Sequence, residues 1–217
     1  MRYVDLSHTI SDGLTTYRGL PAPIICDYLT RDESANNYED GSTFQIGEIK
    51  MVGNSGTYLD CPFHRYAAGK DFSELFLSDM ADLPGVLIQA QANSTLPIDV
   101  HHFENVDMKD KAVLIRTDWA KKWATEAYFE NHPFITEAAA HFLKTQRPKI
   151  IGIDSYNVDD TRVNRRPAHS ILLGADILIV EHMCQLHLLP VEHFYFSAIP
   201  PKIRGMGSLP VRAFAKF

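Results

Sequence analysis

The sequence predicts an α/β fold on three observations. Short β-branched apolar runs are bounded by turn residues, capped helical stretches lie between them, and 217 residues with 45% hydrophobic and 22% charged content suffice for a sizeable core. In chain order, the polar stretch 30–42 reads as a surface loop, and an alternating run at 47–52 reads as the first strand. Residues 70–77 follow as a short helix. Strands are then expected at 85–90, 112–117, 150–153 and 177–180, four nearly unbroken apolar runs of the kind that buried strands show. Between them, 119–123 reads as a second short helix and 136–145 as a third, with Thr136 capping a run of Ala, Phe and Leu. Residues 208–216 alternate Leu, Val and aromatic side chains after the Gly205-Met206-Gly207 turn and are assigned a closing strand. No internal repeat or low-complexity segment interrupts the chain, so 1–217 is expected to form one domain.

Composition excludes several classes. With 21 basic against 27 acidic residues and a net charge of −6, the chain lacks the polycationic surface that nucleic acid requires. The opening MRYVDLSHTISDG has no basic segment followed by an apolar one, and no run approaches the roughly 18 apolar residues of a membrane span. A cytoplasmic protein with no membrane partner is therefore expected. Cys26, Cys61 and Cys184 are odd in number and lack metal-knuckle spacing, so they read as free thiols.

Chemistry concentrates in two clusters. In NSGTYLDCPFH, the polar residues Asn54, Tyr58, Asp60 and His64 fall at even spacings. In an extended chain all four project to one face, while Gly56 permits close backbone approach and Pro62 stiffens the exit toward His64. A half-exposed strand facing water has the same pattern, so this stretch alone does not define a site. The second cluster tips the balance. Arg166-Pro167-Ala168-His169 precedes a long apolar segment that ends in Glu181-His182, and an acid at the carboxyl end of a buried strand is where open α/β sheets place ligands. A buried Glu181 needs a metal ion, an arginine or a proton beside it. Carboxylates with imidazoles suit zinc or manganese. An ion pair of Glu181 with Arg162, Arg165 or Arg166 is the second explanation. Cys61, at an odd position, turns away from the face of Asp60 and His64 and reads as core, not as a nucleophile.

These residues resemble the metal-dependent cyclase-type hydrolases, the family that includes bacterial kynurenine formamidases and isatin hydrolases. Its fingerprint H-x-G-T-H-x-D-x-P-x-H is matched at five of seven defined positions, Gly56, Thr57, Asp60, Pro62 and His64. The resemblance extends to Asp5-Leu6-Ser7-His8, to Gly152-Ile153-Asp154, to His169 with Glu181, and to Pro210-Val211-Arg212. It implies a swivelling β/β/α-type domain with a mixed sheet and flanking helices. It also implies a homodimer that hydrolyses a C–N or C–O bond at a carbonyl of a small-molecule substrate, using divalent metal. Asp60, His169 and Glu181 take ligand positions and His64 the acid/base position.

The two fingerprint histidines are replaced by Asn54 and Tyr58, which removes two nitrogen donors and makes a two-metal site doubtful. Three readings follow, in order. One zinc or manganese ion stays on Asp60, His169 and Glu181, helped by Tyr58, Asn54 or His182, while His64 moves protons and Tyr58 donates to the oxyanion. Alternatively the site is metal-free, with His64 as base and Tyr58 as oxyanion donor, and suits an isomerase or cyclase. Last, the pocket binds a small molecule without catalysis. The leading reading is a hydrolase of an amide, lactone or cyclic amide.

His182 follows Glu181 directly and is expected to point to the opposite side. Tyr17, Phe63 and Phe194-Tyr195-Phe196 are candidates for an apolar pocket wall, although aromatic triplets are more often core. Arg18 offers a charge for an anionic substrate. His101 and His102 are given no role, and DVHHFENVDMKDK reads as a solvated face.

Overall fold

A computed structural model describes residues 1–90 and 97–217. The strands are β1 (Tyr3–Asp5), β2 (Ile24–Leu29), β3 (Ile46–Lys50), β4 (Tyr58–Asp60), β5 (Leu83–Gln89), β6 (Ala112–Arg116), β7 (Ile150–Ile153), β8 (Leu178–Glu181), β9 (Phe194–Ser197), β10 (Ser208–Pro210) and β11 (Phe214–Lys216), and the helices are α1 (Arg31–Ser34), α2 (Glu137–Gln146) and α3 (Pro167–Leu173). Nine strands form one mixed sheet in the order β1-β11-β9-β5-β6-β7-β8-β4-β10. Its centre, β5 to β8, is parallel, with the β6–β7 and β7–β8 crossovers running through α2 and α3.

The four unbroken apolar runs of the sequence are these central strands. They are buried on both faces, so neither face selects polar residues. On one face Val113, Ile115, Ile151 and Ile179 pack with Leu143 of α2 and Leu172 of α3. On the other, Leu87, Leu114 and Val180 pack with Leu59 and Phe196. The expected α/β class, a mixed sheet with flanking helices, is observed. Thr136 caps α2 by accepting the Ala139 N–H, as its position predicts.

Two expectations are corrected, and a third, the short helix at 119–123, is observed in tighter form. Residues 70–77 are not a helix, because the Asp71 carboxylate accepts from Ser73 N and Oγ and from Gly205 N, which ties the chain into a turn. Residues 119–123 form only a short tight helix, Trp119–Lys122, entered through a left-handed Asp118. The closing strand at 208–216 is two strands: β10 pairs with β4, while β11 pairs with β9 and β1, with residues 211–213 crossing between them. The run at 47–52 is β3, shifted by a residue or two. It lies outside the main sheet, pairs with β2, and is exposed along its whole length. Among the described residues no helix is long and apolar enough to cross a membrane.

Candidate active site

β4 and β8 pair antiparallel with Tyr58 opposite Glu181, so Tyr58, Asp60 and Glu181 share one face of the sheet. Only Tyr58–Asp60 of the expected extended segment is strand; Gly56, at φ +64, turns the chain before it, and Pro62–His64 coils tightly after it. That coil lifts His64 off the sheet to the edge of a cavity, where it is exposed, while Asp60 stays fully buried.

His169 arrives from α3. The Asp159 carboxylate accepts the Ala168 and His169 N–H groups, which fixes the start of the helix, and its Oδ2 also takes the His169 Nδ1–H at 2.6 Å. The tautomer is thereby set, and His169 Nε2 is left facing the acids. It lies 3.5 Å from Asp60 Oδ2 and 3.7 Å from Glu181 Oε1. Burial alone would push this imidazole down, but Glu181, Asp159 and Asp60 outweigh it and hold His169 well above the usual histidine range. Burial pushes Glu181 up, His169 opposing and Asp60 adding to the shift.

Each remaining oxygen of the acids has a partner but one. Glu181 Oε1 accepts from Val158 N at 2.7 Å, and Oε2 from the Tyr58 hydroxyl at 2.5 Å and Asn157 Nδ2 at 3.4 Å. Asp60 Oδ1 accepts from the Ser208 hydroxyl. Asp60 Oδ2 is buried with no hydrogen-bond partner. An orphaned carboxylate oxygen is expensive, and this one sits beside an imidazole nitrogen prepared for ligation. Edges of 3.5 and 3.7 Å suit donor atoms about 2.0–2.2 Å from one shared ion, and a carboxylate behind the ligand histidine is the usual support of such a site. The residues therefore fit one divalent cation. His64 adds a donor nearby: ligand atoms of Asp60, His64 and His169 all lie within 4.8 Å of one another.

Ser208 connects two of these groups. Its hydroxyl donates to Asp60 Oδ1, so its oxygen accepts from His64 Nδ1–H at 2.8 Å and His64 presents Nε2 as its lone-pair nitrogen. Gly207 makes this approach possible, since a Cβ there would lie 2.4 Å from His64 N.

The cavity has a volume of about 410 Å³, and Asn54, Tyr58, His64, His169, Tyr17 and Arg18 are part of its wall. Sequence reasoning thus located both ends of the site. The structure adds Asp159, Asn157 and Ser208, none of which stood out in the sequence; a buried ligand histidine calls for an acid behind it, and the Asp159-Asp160 pair upstream was the available signal. The Tyr58 hydroxyl, expected at an oxyanion, donates to Glu181. The alternative ion pair is not formed: Arg162 pairs with Asp160, Arg165 with Glu137, and Arg166 donates to backbone carbonyls.

His182 is fully buried outside the cavity wall, in a nest of Tyr58, Trp123, Tyr128 and Tyr156, where Tyr128 Oη meets its Nδ1 at 2.9 Å. Burial, then His8 and His132, push it down to about 3. Cys61 is buried and burial lifts its thiol to about 11, as a core thiol requires. Phe194 and Phe196 are core, Phe63 packs against that core, and Tyr195 is exposed, so of the aromatic candidates only Tyr17 reaches the cavity.

Comparison with known proteins agrees with this geometry. A family model described as putative cyclase matches residues 4–160. The kynurenine formamidase of Geobacillus thermodenitrificans is 29% identical over 213 residues, covering 97% of this chain and 95% of its own. The structure of isatin hydrolase A from Labrenzia aggregata superposes with a TM-score of 0.83 at 21% identity, over 99% of this chain and 93% of that one. A potential metal-dependent hydrolase with cyclase activity superposes at 0.80 and 22% identity, over 99% and 96%.

Proposed function

The chain belongs to the cyclase family, and from that premise we propose that it is a hydrolase of small amide-type substrates that works with one divalent metal ion, zinc or manganese, on Asp60, His169 and Glu181. The observation that carries the reading is the convergence of ligand atoms, those of Asp60, His64 and His169 lying within 4.8 Å of one another and His169 Nε2 lying 3.7 Å from Glu181. When bound, the ion supplies a Lewis acid for water and for the substrate carbonyl.

The chain's own residues do the rest. Asp159 and Tyr58 orient the two ligands His169 and Glu181, so Tyr58 acts through Glu181 as a positioning residue. His64, held at Nδ1 by Ser208, takes the proton of the attacking water at Nε2 and returns it to the leaving nitrogen. Loss of two histidines at Asn54 and Tyr58 confines the donors to one ion. The protein purified without chelator is expected to carry one equivalent of zinc or manganese per chain, and chelation to abolish cleavage of formanilide. Turnover that persists in metal-free protein refutes the reading.

Two further properties belong to it. The exposed faces of β2 and β3, with Ile24, Ile25, Tyr28, Ile46 and Ile49 each at least 41% exposed, support a homodimer that covers them, and light scattering at twice the chain mass is the expected result. The free thiols, Cys26 exposed among them, suit a reducing cytoplasm.

A further inference from the structure

Among the described residues no acid lines the cavity, in a chain of net charge −6. Three arginines do: Arg18, Arg65 and Arg166. Arg18 is neutralised by Glu126 and Glu130. Neither of the other two pairs with a carboxylate among the described residues, although both are held from behind. Arg65 donates through Nε to Ser170 Oγ at 3.0 Å. Arg166 donates through Nη1 alone to the carbonyls of Asp160, Val163 and Arg165, at 3.3, 2.7 and 2.8 Å. Both Nη groups of Arg65, and the Nε and Nη2 of Arg166, thus remain without an acceptor.

A guanidinium anchored on one edge has lost little further freedom to give up on binding, and its free N–H groups match a carboxylate in fork geometry. A cavity whose wall carries one sign of charge also concentrates ligands of the other sign. The part of the wall with His64, Tyr58 and His169 is where the amide must lie, and Tyr17 and Leu20 supply an apolar wall. Resting on the hydrolase reading above, we propose that the substrate is an amide bearing a carboxylate, and that Arg65 and Arg166 bind this carboxylate while the amide reaches His64.

Binding and turnover test this separately. Calorimetry on the metal-loaded protein compares 4-aminobenzoate with uncharged 4-aminobenzamide. The acid is expected to bind at least about tenfold tighter, with a preference that falls as salt rises. R65Q and R166Q each reduce the preference several-fold, and the double variant brings it close to one. R65Q is informative even where R166Q disturbs its loop, because Arg65 holds only one hydroxyl. Equal affinity for acid and amide, no detectable binding of the acid, or a preference that survives in the double variant overturns the proposal; the last would place the carboxylate on the metal. Turnover of 4-formamidobenzoate and its methyl ester reads the hydrolase assignment. Cleavage of both without charge preference keeps that assignment and removes this one. Charge-dependent binding with no cleavage of either does the reverse.

Discussion

His169 and His182 are both buried, and each lies beside Glu181, one across a 3.7 Å gap and the other next in the chain. Their surroundings differ completely. His169 faces Asp60, Glu181 and Asp159, which hold it above the usual range; His182 faces aromatic rings, and burial pushes it to about 3. Desolvation acts on both in the same direction, so the charged neighbours make the difference, acids raising His169 while His8 and His132 lower His182 further. The Tyr58–Glu181 hydrogen bond marks the border, with Tyr58 in contact with the charged pocket through its hydroxyl and with the aromatic nest through its ring. One side gathers acids around an imidazole, while on the other His182 Nε2 is buried without a hydrogen-bond partner.

Changes on the charged side are expected to act on activity. His64→Ala lowers kcat by about 10²–10⁴-fold, with metal content retained as measured by elemental analysis; loss of the metal with His64 would make it a ligand instead. Asp159→Asn, which takes away the acid behind His169 Nδ1, weakens metal affinity about 10–100-fold in a chelator competition. Unchanged affinity would show that the 2.6 Å contact does not support a ligand.

On the aromatic side the expected effects are on stability. Tyr128→Phe leaves His182 Nδ1 without its partner and costs about 1–3 kcal/mol in urea unfolding, with kcat/KM little changed; a collapse of activity would merge the two regions into one. The smallest effect concerns His8, stacked on Trp123 at 4.0 Å and lowered by burial to about 4. A histidine depressed on folding contributes stability that is present above its ordinary value near 6.5 and is lost as pH falls through about 4. Unfolding midpoints measured from pH 7 to 4 should therefore fall less steeply for His8→Gln than for the unaltered chain.

The same contrast governs what the sequence discloses. The central strands are legible because burial on both faces writes itself as four apolar runs. Asp60, His169 and Glu181 are legible because buried acids and imidazoles at strand and helix ends demand partners, and His64 because it stands in the fingerprint with Asp60. The three- and four-residue strands β1, β4, β9 and β10 are too short for a period to show, and the break at 211–213 is set by which strand each half pairs with, a long-range fact. Asp71 defeats the helix expected at 70–77 through a contact with Gly205, 134 residues on. Asp159 and Ser208 escape notice for a related reason, since their roles exist only once His169 and His64 have been brought to them.

The Ser208 hydroxyl on Asp60 spans 148 residues of chain. At about 5–20 residues per second of synthesis, the serine is made roughly 7–30 s after the aspartate it serves. Until β10 docks, β4 is the open edge of the sheet, with its backbone groups available to any extended chain nearby. The nascent protein is thus inactive throughout the interval between translation of Asp60 and of Ser208, and its active site is among the last parts of the molecule to come into existence.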